Sequence, residues 1–365
     1  MNIYPFISSG NKISKGIFTM FTFKQMLTPV WDTDTVYGES FTMYREKNGE
    51  ISASFLYEPE EIIEVRSANQ EILYEEGKDY IIKDGKLYLT ENTAIPFMEY
   101  EDIFMPEKKH GACFAYPEGW LLFNEGHFFH DRQIAVTYKC KKGSWQGYIP
   151  VYEGEKLHRT IKKLTEDKNL KLVLFGDSIS AGSNASGKTF ANPFQPIWGE
   201  LLAENLRRAY SANVAFVNPS VGGKDSVWAM DVLDEKVIAE NPDLVIIAFG
   251  MNGGHTPETF KSHIKNMVDR IKAANPETDI ILVSTSTPNP LLTDKRAKFW
   301  TYQHLYNEVL DKFAGDGIAV ANIRDVQKAL HSKKRFIDTT GNNVNHPNDF
   351  FIRVHAQVLS ALLIK

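Results

Sequence analysis

Five short apolar runs alternate with helical patterns in the second half of this chain, and no other feature restricts its fold as strongly. The runs have the length of buried strands and cover residues 171–175, 214–217, 244–249, 280–284 and 318–323. Helical patterns lie at 198–210, 226–239, 257–274 and 298–313, and an amphipathic helix closes the chain through Leu363. This alternation predicts a mostly parallel five-stranded sheet with helices on both faces, a three-layer α/β/α fold.

The first half has a different pattern, in which short strands are separated by turns. Segments such as 51–57, 80–89 and 134–138 are rich in β-branched and aromatic residues, and Asp84-Gly85 is typical of a hairpin turn. Strands at this spacing predict an all-β sandwich. Because 365 residues are too many for one compact core, we expect two domains, 1–155 and 156–365, that meet in the charged stretch 152–170.

Composition and charge exclude several classes of protein. The net charge of -5 argues against a nucleic-acid partner, which requires a basic surface. No run approaches the roughly 20 apolar residues of a membrane-spanning helix, and the first thirty residues lack the apolar segment of a signal peptide. We therefore expect a cytoplasmic protein without a membrane partner. Two cysteines, Cys113 and Cys140, do not indicate a disulfide framework.

Polar loops follow the predicted strands. The first three strands end in Gly176-Asp-Ser178, Asn218-Pro-Ser-Val-Gly-Gly223 and Gly250-Met-Asn252-Gly-Gly254, and a fourth loop, Asn342-Asn-Val-Asn-His346-Pro-Asn-Asp349, precedes the last helix. Because the carboxyl ends of parallel strands lie along one edge of a sheet, we expect these loops to meet there. A serine on a tight strand-to-loop turn is well placed to act as a nucleophile, with backbone NH groups free to face an oxyanion.

These four loops, in this order, resemble the motifs of the SGNH hydrolases, also called GDSL esterases and lipases. The resemblance covers slightly more than half of the chain and implies a flavodoxin-like sheet. It also implies that Ser178 is the nucleophile and that His346 is its general base. The implied oxyanion donors are the NH of Ser178, the NH of Gly223, with Gly222 as the next register, and the side-chain amide of Asn252.

Two positions depart from the family's pattern. Gly253 stands where the family usually has Asp, and Asn343 stands three residues before His346, where the family has the Asp that orients the histidine. An Asn can accept a hydrogen bond from the ring but adds no negative charge to stabilise an imidazolium. We expect a Ser-His dyad oriented by Asn343 or by a backbone carbonyl. Asp338 and Asp349 are alternative acids, although Asp349 also suits the start of the last helix.

The resemblance implies a serine esterase that works through an acyl-serine intermediate and needs no metal or organic cofactor. Members of the family with a jelly-roll domain ahead of the hydrolase domain tend to act on acetylated carbohydrates, and the strand-rich first half is similar to such a domain. The implied substrate is therefore an acyl ester, with acetyl as the expected acyl group, of a small molecule or an oligosaccharide.

Two other functions fit parts of the sequence. Gly182-Ser-Asn-Ala-Ser-Gly187-Lys188-Thr189 matches the phosphate-loop pattern of kinases and NTPases. However, it begins six residues past the glycine at the strand end, and Pro193 and Pro196 exclude a helix interior directly after it. The departures at Asn343 and Gly253 also leave open a carbohydrate-binding protein without catalytic activity.

Overall fold

The computed structural model describes residues 21–108, 113–293 and 301–365. Described residues up to 140, which we call the β region, contain short antiparallel strands. The strands are β1 (Thr35–Thr42), β2 (Ser52–Ser54), β3 (Pro59–Ser67), β4 (Leu73–Tyr74), β5 (Tyr80–Lys83), β6 (Lys86–Leu89), β7 (Phe104–Met105), β8 (Cys113–Tyr116), β9 (Gly119–Leu122) and β10 (Gln133–Cys140). Two short α-helices accompany them, α1 (Phe23–Met26) and α2 (Tyr100–Ile103).

The strands of the β region form three sheets with the orders β1-β10-β3-β4, β2-β6-β5 and β7-β9-β8. Asp84 and Gly85 connect β5 to β6 with φ angles of 50° and 68°. Positive φ at both residues is the geometry of a type I′ turn, which favours Asp-Gly. The predicted all-β character of the first half is confirmed, whereas the jelly-roll arrangement is not.

The described residues from 158 onwards form what we call the α/β region. Its strands are β11 (Asn169–Gly176), β12 (Asn213–Val217), β13 (Leu244–Ala248), β14 (Asp279–Val283) and β15 (Ile318–Ala321). Its helices are α3 (His158–Lys162), α4 (Ser178–Ala181), α5 (Trp198–Tyr210), α6 (Ser226–Lys236), α7 (Pro257–Ala274), α8 (Tyr306–Asp311), α9 (Ile323–His331) and α10 (Asp349–Leu363). The predicted α/β fold is confirmed.

All five strands of the α/β region are parallel, in the order β12-β11-β13-β14-β15. This is the flavodoxin-like order that the family resemblance implies. The first strand, β11, lies between β12 and β13. The next strand, β12, is therefore added on one side of β11, and the later strands are added on the other side. A crevice opens at the carboxyl end of a strand where the order reverses in this way. The loop that follows Gly176 lies at that end of β11.

Helix boundaries follow the sequence pattern closely, with one exception. Helices α5 and α7 have the predicted bounds. The side chain of Thr256 caps α7, Glu200 accepts a hydrogen bond from the NH of Ile197 at the start of α5, and each helix has an apolar stripe against the sheet. The helix predicted at 298–313 is much shorter. Helix α8 covers only Tyr306–Asp311 and follows a 3-10 turn at Gln303–Leu305, while 298–300 lie outside the described residues.

The last helix, α10, ends at Leu363 as predicted but is buried on nearly all sides, not on one face. One side packs against α5, and the other meets the β region. Arg353 donates to the carbonyl of Gly38 at 2.7 Å, and Gln357 donates to that of Met26 at 3.0 Å. Arg353 and Gln357, two of the polar residues that suggested an amphipathic helix, therefore bind the β region and do not face solvent.

The two regions share one hydrophobic core. Val136 of β10, Trp198 of α5 and Phe351 of α10 belong to the same cluster of buried side chains. The division into domains 1–155 and 156–365 stays a prediction. Among the described helices, none is long and apolar enough to cross a bilayer. The cytoplasmic location also stays a prediction, and most of the segment that bears on a signal peptide, residues 1–20, lies outside the described part of the chain.

Candidate active site

The loop after β11 presents Ser178 on a tight turn. Asp177 caps the short helix α4, and its Oδ1 accepts a hydrogen bond from the NH of Ile179 at 3.0 Å. Gly176 is required at the strand end, since a Cβ there would lie 2.3 Å from Oγ of Ser180 and 2.6 Å from the carbonyl oxygen of Ala248. Burial raises the pKa of the Asp177 carboxyl to about 6, although neighbouring NH groups oppose the shift.

The loop before α10 brings His346 to the same place. Its Nε2 lies 2.9 Å from Oγ of Ser178, across 168 positions of sequence. Asn342, which is fully buried, shapes this loop through its Oδ1, which accepts hydrogen bonds from the NH groups of Val344, Asn345 and His346. The two residues predicted as nucleophile and base are thus in hydrogen-bond contact.

The other ring nitrogen of His346 faces two acceptors that the sequence analysis did not identify. Its Nδ1 lies 2.7 Å from Oδ1 of Asn184 and 3.2 Å from Oε2 of Glu125. Asn184 falls in the stretch that matches the phosphate-loop pattern, so the sequence suggested a phosphate-binding role for this stretch and not a contact with His346. Glu125 lies in the β region, and no motif in the sequence distinguishes it.

Asn343, the predicted orienter, forms its side-chain hydrogen bonds with residues other than His346. Its φ is 63°, in the left-handed region. The amide nitrogen donates to the carbonyl of Leu122 at 3.0 Å, and the amide oxygen accepts from Nδ2 of Asn289 at 3.2 Å. Asn343 therefore links its loop to β9 and to the loop after β14.

The two alternative acids are also bound elsewhere. Asp338 pairs with Arg335 at 3.1 Å and accepts from the NH of Thr42 at 2.8 Å. Asp349 opens α10, and its Oδ1 accepts from the NH of Ser186 at 2.9 Å. Asn348 is the cap of that helix.

The predicted oxyanion donors lie on loops beside Ser178. A Cβ built on Gly222 would lie 3.7 Å from Cβ of Ser178, whereas one on Gly223 would meet open space. Gly223 has a φ of 73°, which favours glycine. The amide of Asn252 donates to the carbonyl of Lys224 at 3.0 Å and so holds its loop against the glycine loop. The choice between the NH groups of Gly222 and Gly223 stays a prediction.

The stretch Gly182 to Thr189 lacks the context of a phosphate loop. Residues 184–194 form turns, and the next helix, α5, begins only at Trp198. Lys188 lies 3.9 Å from Glu200, and Asn184 contacts His346. A phosphate loop leads directly into a helix whose N-terminal NH groups bind phosphate. Through Asn184, this stretch instead faces the His346 ring of the Ser178-His346 pair.

Within residues 21–108, 113–293 and 301–365, no group of three or more His, Cys, Asp or Glu side chains is arranged to hold a metal ion. The chemistry available at the site is that of a hydroxyl, an imidazole, a carboxylate and several amides. A serine hydroxyl in contact with a histidine, at the carboxyl end of a flavodoxin-like sheet, is the arrangement of a serine hydrolase.

Comparison with known proteins agrees with this class. Residues 174–350 match the GDSL-like Lipase/Acylhydrolase family. The match includes all four motif loops, so the resemblance to SGNH hydrolases is confirmed.

Individual relatives are more distant. An arylesterase from Vibrio mimicus is 26% identical over 121 residues, which cover 32% of this chain and 56% of that protein. A two-domain esterase active on acetylated mannans, crystallised with mannopentaose, has a TM-score of 0.46 at 16% identity and covers 58% of this chain and 54% of its own. Axe2, an acetylxylan esterase from Geobacillus stearothermophilus, has a TM-score of 0.42 at 16% identity, with coverages of 52% and 92%.

Proposed function

We propose that this protein is a serine esterase that hydrolyses acyl esters through an acyl-serine intermediate. The main observation in support of this proposal is the 2.9 Å contact between Oγ of Ser178 and Nε2 of His346. It occurs at the switch point of the parallel sheet, where ligands of such folds bind. The family match over residues 174–350 supports the same chemistry.

In the proposed reaction, His346 accepts the Ser178 proton on Nε2 while Oγ forms a bond to the ester carbonyl carbon. The tetrahedral intermediate collapses, the bond to the alcohol oxygen breaks, and the alcohol leaves with the proton from Nε2. Water then attacks the acyl-serine in the same way and gives up a proton to His346. The carboxylic acid leaves, the proton returns to Oγ, and Ser178 is regenerated.

Three donors are proposed to stabilise the oxyanion, namely the NH groups of Ser178 and Gly223 and the amide of Asn252. Such groups stabilise the transition state because they point at the place where charge develops. Loss of one donor typically costs about 10² to 10³ in turnover. We therefore expect Asn252→Ala to lower kcat by that factor with a smaller effect on KM.

Acetyl is the proposed acyl group, and a carbohydrate or another small alcohol is the proposed leaving group. Ser178 and His346 are only 7% and 8% exposed, so protein atoms cover most of the nucleophile and its base. A nucleophile that is covered in this way favours a short acyl chain. The resemblance to two-domain carbohydrate esterases with a leading β domain supports an oligosaccharide ester as substrate.

The test compares wild type with Ser178→Ala and Lys188→Ala on nitrophenyl esters of increasing chain length and on acetylated oligosaccharides. We expect the highest kcat/KM on the acetyl ester, nearly complete loss in Ser178→Ala and near-normal rates in Lys188→Ala. ATP hydrolysis that disappears in Lys188→Ala would support a phosphate-loop enzyme instead. Sugar binding without turnover of any ester would indicate an inactive binding protein.

A further inference from the structure

Asn184 fixes the tautomer of His346 without a charge. Its Nδ2 donates to the carbonyl of Gly126 at 2.8 Å and to that of Gly341 at 3.1 Å, so both amide hydrogens are used. The atom that faces Nδ1 of His346 must therefore be the acceptor Oδ1. Nδ1 then carries the proton, and the lone pair of Nε2 is free to accept the proton of Ser178.

Glu125 adds the negative charge that Asn184 lacks. Its Oε2 faces Nδ1 of His346 at 3.2 Å, and its Oε1 accepts from Nδ2 of Asn342 at 3.3 Å. The amide of Asn342 has a fixed orientation, since its oxygen accepts three backbone NH groups of the His346 loop. The carboxylate is thus held by one partner on each oxygen.

The electrostatic balance at Glu125 favours the ionised form. Partial burial acts to raise the pKa of this carboxyl, but the hydrogen bond and the charge of His346 outweigh it, with help from the amide of Asn342. The net effect holds the pKa of Glu125 below its ordinary value. With 48% of its side chain exposed, Glu125 is also within reach of small solutes.

We propose that Glu125 is the positioning carboxylate of a Ser178-His346-Glu125 triad, and that it replaces the acid missing at Asn343. The inference rests on the proposed esterase function and assigns a further residue to it. When Nε2 takes the Ser178 proton, the proton on Nδ1 stays there, and the carboxylate of Glu125 stabilises the imidazolium without becoming protonated. Asn184 shares the hydrogen bond from Nδ1 and keeps the ring in the productive tautomer.

This assignment makes the β region part of the catalytic machinery. The segment Glu125-Gly126 supplies both the carboxylate beside His346 and the carbonyl that orients Asn184. The first half of the chain thus has a role in the reaction itself, whatever it contributes to substrate binding. The full-length chain is accordingly the form to test.

The experiment measures kcat and KM for nitrophenyl acetate in wild type, Glu125→Gln and Glu125→Ala. Glu118→Gln is the matched control, because Glu118 is an exposed glutamate of the same region that pairs with Lys47 at 3.1 Å. In serine proteases the corresponding Asp→Asn change costs about 10⁴ because the wrong tautomer forms. Here Asn184 preserves the tautomer, so we expect a smaller loss of about 10- to 100-fold in kcat for Glu125→Gln, with KM within about twofold.

Two readouts separate this role from a structural one. The acid limb of the kcat/KM profile should move to lower pH in Glu125→Gln, because an imidazolium without the neighbouring carboxylate releases its proton more easily. Added formate should restore part of the activity of Glu125→Ala, since the anion can occupy the vacated place beside Nδ1. Formate should not increase the rate of wild type or of Ser178→Ala.

Each result of these measurements either supports or contradicts the role of Glu125. Rates within twofold of wild type for both Glu125 variants, with an unchanged pH profile, would overturn it, while loss of activity in Ser178→Ala would still support the esterase. A wild-type protein that hydrolyses no ester would overturn the proposed function and this inference with it. If Glu125→Ala is unfolded by circular dichroism, Glu125→Gln decides, because it keeps the shape of the side chain.

Discussion

Nζ of Lys334 lies 2.6 Å from Oε1 of Glu39, and both side chains are completely buried. The pair joins the α/β region, just after α9, to β1 of the β region. Glu39 also accepts from the hydroxyl of Tyr138 at 2.5 Å, and Lys334 donates to the carbonyl of Ser54 at 2.9 Å. Transfer of two charges from water into the protein interior costs free energy. Each side chain therefore destabilises the fold when its partner is removed.

We therefore expect Lys334→Met to lower the free energy of unfolding by about 3–5 kcal/mol, because it leaves a buried, unpaired carboxylate. The double variant Glu39→Gln, Lys334→Met should lose clearly less, since no charge is left without a partner. Urea unfolding measures both values. Lys139→Met, which removes an exposed lysine paired with Glu61, is the control and should change stability little. Equal losses in the single and double variants would contradict this explanation.

Asn343 is expected to support stability more than catalysis. Asn343→Gly is the informative change, because glycine accepts the φ of 63° and removes only the side chain. The carbonyl of Leu122 then loses its hydrogen bond from Asn343, while the amide of Asn289 keeps its bond to the backbone carbonyl of residue 343, and the change should cost about 1–3 kcal/mol. We expect kcat to fall less than tenfold, against about 10³ or more for His346→Ala.

Steady-state kinetics and urea unfolding of the same Asn343→Gly preparation separate the two effects. If kcat falls as far as in His346→Ala while the protein stays folded, Asn343 is a member of the catalytic group after all. The resemblance to the family would then have located the orienting residue correctly despite the missing charge.

The fold of the α/β region was predictable because its central strands are buried on both faces. Such strands appear as continuous apolar runs, and β14, for example, has no exposed residue. Ser178 and His346 were predictable for a related reason, since each lies in a short motif next to a regular element. The local sequence thus determines both the element and the position of the functional side chain.

Glu125 and Asn184 could not be found in this way, because their role depends on how distant loops meet. Glu125 is 221 positions away from His346, and it reaches the ring because the loop after β9 meets the loop before α10. Asn343 shows the converse, since its sequence position fits an orienter but its side chain, on a left-handed backbone, donates to the carbonyl of Leu122. Backbone conformation and tertiary packing, which the motifs do not encode, decide these contacts.

His355 on α10 should make the protein sensitive to acid. Its ring lies between Phe351, at 4.6 Å, and Trp198, at 6.3 Å, and its Nδ1 donates to the carbonyl of Phe351 at 2.8 Å. Complete burial lowers the pKa of His355 to about 4, although that hydrogen bond opposes the shift. The folded protein therefore holds this ring neutral at a pH where the unfolded chain would already bind a proton.

The contribution of the neutral His355 ring to the free energy of unfolding should be fully present above about pH 6.5, the ordinary pKa of histidine. It should be lost as the pH falls to about 4, because the unfolded state takes up the proton first. Across this window the loss amounts to about 3 kcal/mol. We expect wild type to lose that much more stability than His355→Gln between pH 7 and pH 4, as measured by urea unfolding at each pH. His355→Phe should follow His355→Gln, since neither variant has a group to protonate. Parallel curves for wild type and both variants over the whole range would mean that this ring does not titrate between the folded and unfolded states.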